Sequence, residues 1–266
     1  MLRILYLAAL MGVPAAPTGV APSVPIAKPK WVIDYAPSAC ILSRARSGMD
    51  GGLSIETRPY ENDHEIIFFL PRQGSNFFKP GSLSVPDSRT QRESFVVAEE
   101  PPQGLDRLVR SSISNEQLEL AQREATLGVT SPGRLDARVS VAGLGKALKA
   151  LKDCEDNLAV KWGTPKSWTV DPQPLVEPNT VFRNDDYPSD MLEQGKRGQA
   201  RLLFKVSASG LISDCRAIEM EGSRAFAEMT CAVIKERVKF TPARDAGGQA
   251  VPSYFVAPRV KFELAN

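Results

Sequence analysis

Apolar residues recur along the chain with two periods, and the changes between them divide the sequence into predicted elements. From Trp31 to Pro71 the pattern is of short strands broken by glycine and proline turns. These are Trp31 to Tyr35, Cys40 to Ala45, Leu53, Ile55 and Thr57 alternating with polar neighbours, and the apolar run Ile66 to Leu70. Further strands are predicted at Glu93 to Ala98 and around Leu135 to Val141. Between them, Ser114-Asn115-Glu116-Gln117 has capping-box spacing and Ile113 can staple onto Leu118, which predicts a helix from Asn115 to Ala125. Leu144, Ala147, Leu148, Leu151, Cys154 and Leu158 then fall at helical spacing and place Cys154 on the buried stripe.

Thr164 to Thr180 carries Pro165, Pro172, Pro174 and Pro178 without apolar periodicity, and reads as a linker that holds two domains apart. Beyond it, Ala200, Leu202, Phe204 and Val206 alternate with Arg201, Leu203, Lys205 and Ser207, predicting a half-buried strand that turns at Ser209-Gly210. Its partner runs from Leu211 to Met220. Gly222-Ser223 opens a helix whose Ala227, Cys231, Ile234 and Val238 face inward, flanked by Phe226, Met229 and Val233. Val260, Phe262 and Leu264 alternate with charged neighbours in a last strand. The fold class expected is α+β. Residues 31–163 form an N-terminal domain mixing a sheet with helices, residues 164–180 the proline-rich linker, and residues 181–266 a small sheet packed on a helix.

The first residues change the picture. Met1-Leu2-Arg3 is a short positive start, and Ile4 to Val13 is an apolar run without charge, too short to span hydrocarbon and laid out as a secretory signal. Residues 1–15 are therefore expected to be a signal peptide cleaved after Ala15, with 16–30 a proline-rich, extended leader. The full chain has 42% hydrophobic and 24% charged residues over a length of 266, as a folded two-domain protein would. Lys plus Arg is 33 against 31 acids, a balance that excludes nucleic acid as the main partner.

Export also sets the reading of the cysteines. Cys40, Cys154, Cys215 and Cys231 are an even number in an oxidising compartment and read as two disulfides. Of the three pairings, proximity within domains favours Cys40–Cys154 and Cys215–Cys231. No CxxC pair exists and the one histidine, His64, is far from every cysteine in sequence, so no metal site is expected. Catalytic chemistry is equally thin. Glu61-Asn62-Asp63-His64 reads as a solvated turn before a strand, and no nucleophile elbow accompanies it. Gly143-Leu144-Gly145-Lys146 lacks phosphate-loop spacing and reads as a helix start. The acidic pairs Glu99-Glu100 and Asp185-Asp186 read as solvated, and Trp31, Trp162 and Trp168 as core or linker anchors.

One resemblance is carried by the C-terminal residues. Tyr187-Pro188, Gly195 to Gly198, the strand ending in Ser209-Gly210, the helix, Phe240-Thr241-Pro242-Ala243, Gly247-Gly248-Gln249-Ala250-Val251 and the close in Phe262-Glu263-Leu264 resemble, in order and spacing, the TonB carboxy-terminal domain. The resemblance spans Val181 to Leu264, and cysteines at Cys215 and Cys231 suit its exported members. It implies a periplasmic location and a last strand that pairs with a short peptide of a TonB-dependent outer-membrane transporter. Tyr254 to Leu264 would be the contact segment, with Tyr254, Arg259, Lys261 and Glu263 as partner-binding residues, and Pro258, which lacks an N–H, suits an edge strand.

An energy transducer of this family needs an uncleaved anchor and a long spacer, which this reading does not supply. The expectation is a non-catalytic, cofactor-free periplasmic binding protein. The alternatives are an exported hydrolase with its site in the N-terminal domain, and an envelope scaffold that uses the TonB-like fold to pair with a like chain as a homodimer.

Overall fold

A computed structural model describes residues 30–46, 51–71, 77–85, 91–99, 107–124 and 126–262. The expected signal peptide, and the leader up to residue 29, lie outside them.

Nine antiparallel strands make the first sheet: β1 (Trp31–Tyr35), β2 (Cys40–Arg44), β3 (Gly52–Thr57), β4 (Asp63–Leu70), β5 (Phe77–Ser84), β6 (Gln91–Glu99), β7 (Arg107–Ser114), β8 (Thr126–Ser131) and β9 (Leu135–Ser140). Their order is β1-β2-β3-β4-β7-β6-β5-β8-β9. The sheet curls so that its first strands reach the segment after its last: Trp31 Nε1 donates to Ala142 O at 3.0 Å, and the Arg44 guanidinium donates to Ser140 O. Leu42, Leu53, Ile66, Phe68, Val109 and Leu127 fill the inside with no exposed surface.

Two helices serve this sheet. Helix α1 (Asn115–Ala121) starts at the predicted box, where Ser114 Oγ accepts from Gln117 N at 3.2 Å and Gln117 Oε1 accepts from Ser114 N at 3.1 Å. It ends short of Ala125, because Arg123 and Glu124 bond three residues back, to Leu120 and Ala121, and tighten the last turn. Helix α2 (Leu144–Lys161) buries Leu144, Ala147, Leu151, Cys154 and Leu158 against β1 and β2, and the disulfide Cys40–Cys154 joins it to β2. Gly143 is its cap residue at φ 82, so the glycine-rich tetrad is the expected helix start.

Strands β5, β7 and β8 are additions to the sequence reading. In β7 the inward positions are Arg107, Val109, Ser111 and Ile113, so two polar residues interrupt the apolar alternation that would have marked it.

The second sheet is smaller. Strand β11 (Gly198–Val206) is central, with β12 (Ile212–Glu221) on one side. On the other side β14 (Ser253–Val256) and β15 (Val260–Phe262) lie end to end, pairing with residues 203–206 and 198–200 of β11. Helix α4 (Arg224–Arg237) packs on β11 and β12; Ser223 Oγ caps it by accepting from Ala225 N at 3.3 Å, and Cys231 bonds to Cys215 of β12. The β11–β12 turn needs Gly210: its φ is 79°, and a Cβ there would stand 2.0 Å from Phe240 O. A short helix, α3 (Ser189–Glu193), precedes the sheet.

Segment 164–180 connects the two units but is not a free spacer. Trp168 is buried, Thr169 and Val170 donate to Arg244 O at 2.9 and 3.0 Å, and β10 (Gln173–Pro174) pairs with β13 (Phe240–Thr241). The backbone donors of Thr169, Val170 and Leu175 have acceptors on the C-terminal unit, which proline spacing alone does not reveal. Among the described residues, no helix is long and apolar enough to cross a membrane.

Candidate functional site at the edge of the C-terminal sheet

The outer strand formed by β14 and β15 is interrupted at Ala257 to Arg259, where Pro258 contributes no donor. Within β14 the backbone directions are set by two bonds. Ala257 N donates inward to Leu202 O at 2.9 Å, so Val256 N, one residue earlier, points outward and donates to Tyr60 O at 3.4 Å. The outer side of β15 has no strand partner among the described residues.

Beside β15 lies a groove of about 450 Å³, bordered by Phe182, Arg183, Tyr187, Leu192 and Lys261. Its wall is held by Arg237 of α4, which donates to both oxygens of Asp186 at 2.6 and 2.8 Å. That pairing holds the Asp186 carboxyl below the usual carboxylate range. The Asp185-Asp186 pair, expected to be solvated, thus includes a structural ion pair. The next residue, Tyr187, donates its hydroxyl to Lys196 O and lies edge-on to Phe226 and Phe262 in the apolar cluster under β15.

The four residues expected to meet a partner do not share one environment. Lys261 is exposed on β15. Tyr254 stacks with Tyr60 at 6.0 Å and lies 6.2 Å from the Trp168 ring. Arg259 is paired with Glu219 at 2.9 Å and Glu65 at 3.5 Å. Glu263 lies outside the described residues.

Tyr254 and Arg259 belong to a junction between the two sheets. Arg58, 1% exposed, reaches Glu219 at 3.0 Å and also pairs with Glu56, while Arg201 donates to Glu61. Burial pushes the Arg201 guanidinium pKa down, and the Glu61 carboxylate opposes the shift. Strand β11 is therefore covered on both faces: Arg201 and Leu203, on the face expected to meet water, are buried. Leu203 was the available signal, an apolar residue in the polar register. Arg58, Glu61 and Glu219 carry none, since their partners come from distant segments.

His64 is also part of this junction, which corrects the solvated-turn reading. It is the second residue of β4, opposite Ile113, and only 2% exposed, because β4 starts earlier than its apolar run. Its Nε2 lies 2.7 Å from Asn115 Oδ1 and its Nδ1 3.7 Å from Glu61 Oε2, an ion-pair separation. Burial alone would lower the His64 pKa, but Glu61, Asn115 and Glu155 outweigh it and hold the pKa above 6.5. A charged imidazole therefore stabilises the fold fully below that value, and the contribution is lost as pH rises through the raised folded-state pKa. Urea midpoints measured across this range are expected to fall more steeply with pH in the wild type than in His64→Gln. Parallel slopes would exclude the linkage.

A search of curated proteins finds no match to this chain. Residues 183–264 match the family described as Gram-negative bacterial TonB protein C-terminal, less than a third of the sequence. Strands β11, β12, β14 and β15 and helix α4 thus lie in the part of this chain that is similar to TonB carboxy-terminal domains.

Proposed function

We propose that this is an exported, non-catalytic periplasmic protein that binds an extended peptide by strand addition along β15, with a TonB-dependent outer-membrane transporter as the partner. The observation that carries the reading is the outer side of β15, which has no strand partner among the described residues, beside the groove at Phe182 and Leu192. In such binding the backbone supplies affinity and alternate side chains fill pockets. The secretory layout of residues 1–15 and two disulfides support an oxidising compartment.

The test uses the full mature chain and synthetic peptides copying short plug segments of such transporters. At least one is expected to give a saturable complex at micromolar concentration, with amide shifts concentrated at Val260 to Phe262 and weaker binding by Lys261→Glu. Absence of binding by every peptide would refute the transporter reading. Concentration-dependent pairing of the chain with itself through the same amides would favour the scaffold alternative.

A further inference from the structure

The two halves of the C-terminal edge differ in one respect: β14 already has an occupant. The outward N–H of Val256, the kind of donor an added strand would use, is taken by the carbonyl of Tyr60 in the β3–β4 turn. Around this bond the turn is fastened by side chains. The Tyr60 ring packs 5.1 Å from Trp168 and 6.0 Å from Tyr254, and its hydroxyl donates to Thr164 O. Glu219 of β12 collects Arg58 at 3.0 Å, Arg259 at 2.9 Å and Arg201 Nε at 3.4 Å, so one carboxylate serves guanidinium groups from both units.

Two observations say that this fastening is not a relaxed one. Tyr60 has φ 66°, and it is the sole non-glycine residue at positive φ among the described residues. A tyrosine reaches that region only when its surroundings impose it. The ion cluster is also incompletely satisfied: Arg58 Nε, Arg58 Nη1, Arg259 Nε and Glu61 Oε2 are buried without a hydrogen-bond partner. Water would serve all of these atoms if the turn lifted, which offsets part of the Coulomb attraction lost. A contact that combines backbone strain with ion pairs whose hydrogen bonding is incomplete lifts at a lower cost than a relaxed, fully bonded turn.

We propose that the β3–β4 turn, Arg58 to Asn62, is a removable cover on the C-terminal sheet edge. While it is closed, an added strand is confined to the three residues of β15; a longer strand that also pairs with β14 must displace the Tyr60 carbonyl from Val256 N. The inference rests on the strand-addition reading for its biological use, but the cover itself is testable without any ligand.

The experiment compares the full mature wild type with two variants of opposite effect. Glu219→Ala removes the carboxylate shared by the arginines and lies outside both apolar cores. Tyr60→Cys with Tyr254→Cys, joined by a short bis-maleimide linker, clamps the turn shut: the two side chains face each other with ring centroids 6.0 Å apart, and none of the four native cysteines is free to react. Hydrogen exchange is followed at residues 58–62 and 253–257, with residues 126–131 of β8, remote from the Glu219 cluster, as the internal reference. Glu219→Ala is expected to raise exchange at the first two segments about tenfold, leaving the reference unchanged, and the clamped variant to slow it.

Each protein is then titrated with the transporter peptides used above. Tighter binding by Glu219→Ala and loss of the longer peptides by the clamped variant support the cover. Unchanged exchange at Val256 in both variants overturns it. So does altered exchange with wild-type affinity in both, which leaves strand addition standing. If no peptide binds any of the three proteins, the strand-addition reading fails, and the exchange results alone decide whether the turn is a removable cover.

Discussion

Replacing Cys40 and Cys154 together by alanine is expected to lower the stability of the N-terminal unit by about 4–5 kcal/mol. The bond closes a chain segment with a sequence separation of 114, and in the chain-entropy model a loop near that length restrains the unfolded chain by roughly that amount. Alanine rather than serine is the right replacement, because both cysteines are almost fully buried among apolar side chains and a hydroxyl would lack a partner. Urea unfolding followed through Trp31 and Trp162, which pack against this core, reads the loss directly. The Cys215–Cys231 bond has a separation of only 16 and should be worth about 3 kcal/mol in the same model. A loss below about 1 kcal/mol for the longer bridge would contradict this account, since it would mean that the reduced chain keeps β2 and α2 together anyway.

The second large effect is expected at Glu61. Its side chain is 6% exposed and faces Arg201, Arg58 and His64, so Glu61→Ala leaves buried positive charge without its carboxylate. Removing one member of a buried pair costs about 3 kcal/mol or more, largely as the penalty of the abandoned charge. Here the two units can part to rehydrate the arginines, so the cost should appear as uncoupling. Calorimetry is expected to show the two units melting closer together in the wild type than in Glu61→Ala. The double variant Glu61→Ala with Arg201→Met should lose less than the two single variants added together, because it removes both charges. Strict additivity would show that Glu61 and Arg201 do not depend on each other.

How much of this was legible beforehand follows from the range of each interaction. The capping box at Ser114, the Cys154 stripe of α2, the alternation of β11 and the turn at Gly210 are local, and the periods of helix and strand write them into neighbouring residues. Strand β7 was not legible because Arg107 and Ser111 occupy inward positions. Its partner strands, not its own pattern, make it a strand. His64 was misplaced for a related reason. Polar neighbours on either side suggest a turn, while register with Ile113 in β7 extends β4 back over them.

The partner-binding edge shows the same division. Residue order alone identified a TonB-like unit, the cysteines to be joined and the charged last strand. It could not show that β14 and β15 lie in line on one strand, or that Tyr254 and Arg259 turn toward the N-terminal unit while Lys261 faces solvent.

By itself, then, the sequence determined the α+β class, helices α1, α2 and α4 and many of the strands, because periodic burial and caps act over a few residues. Tertiary structure alone decided the junction of Arg58, Glu61, Arg201 and Glu219 and the cover over β14. Buried ion pairs between remote segments leave no periodic trace: the energy of each charge depends on a partner that only the fold brings within reach.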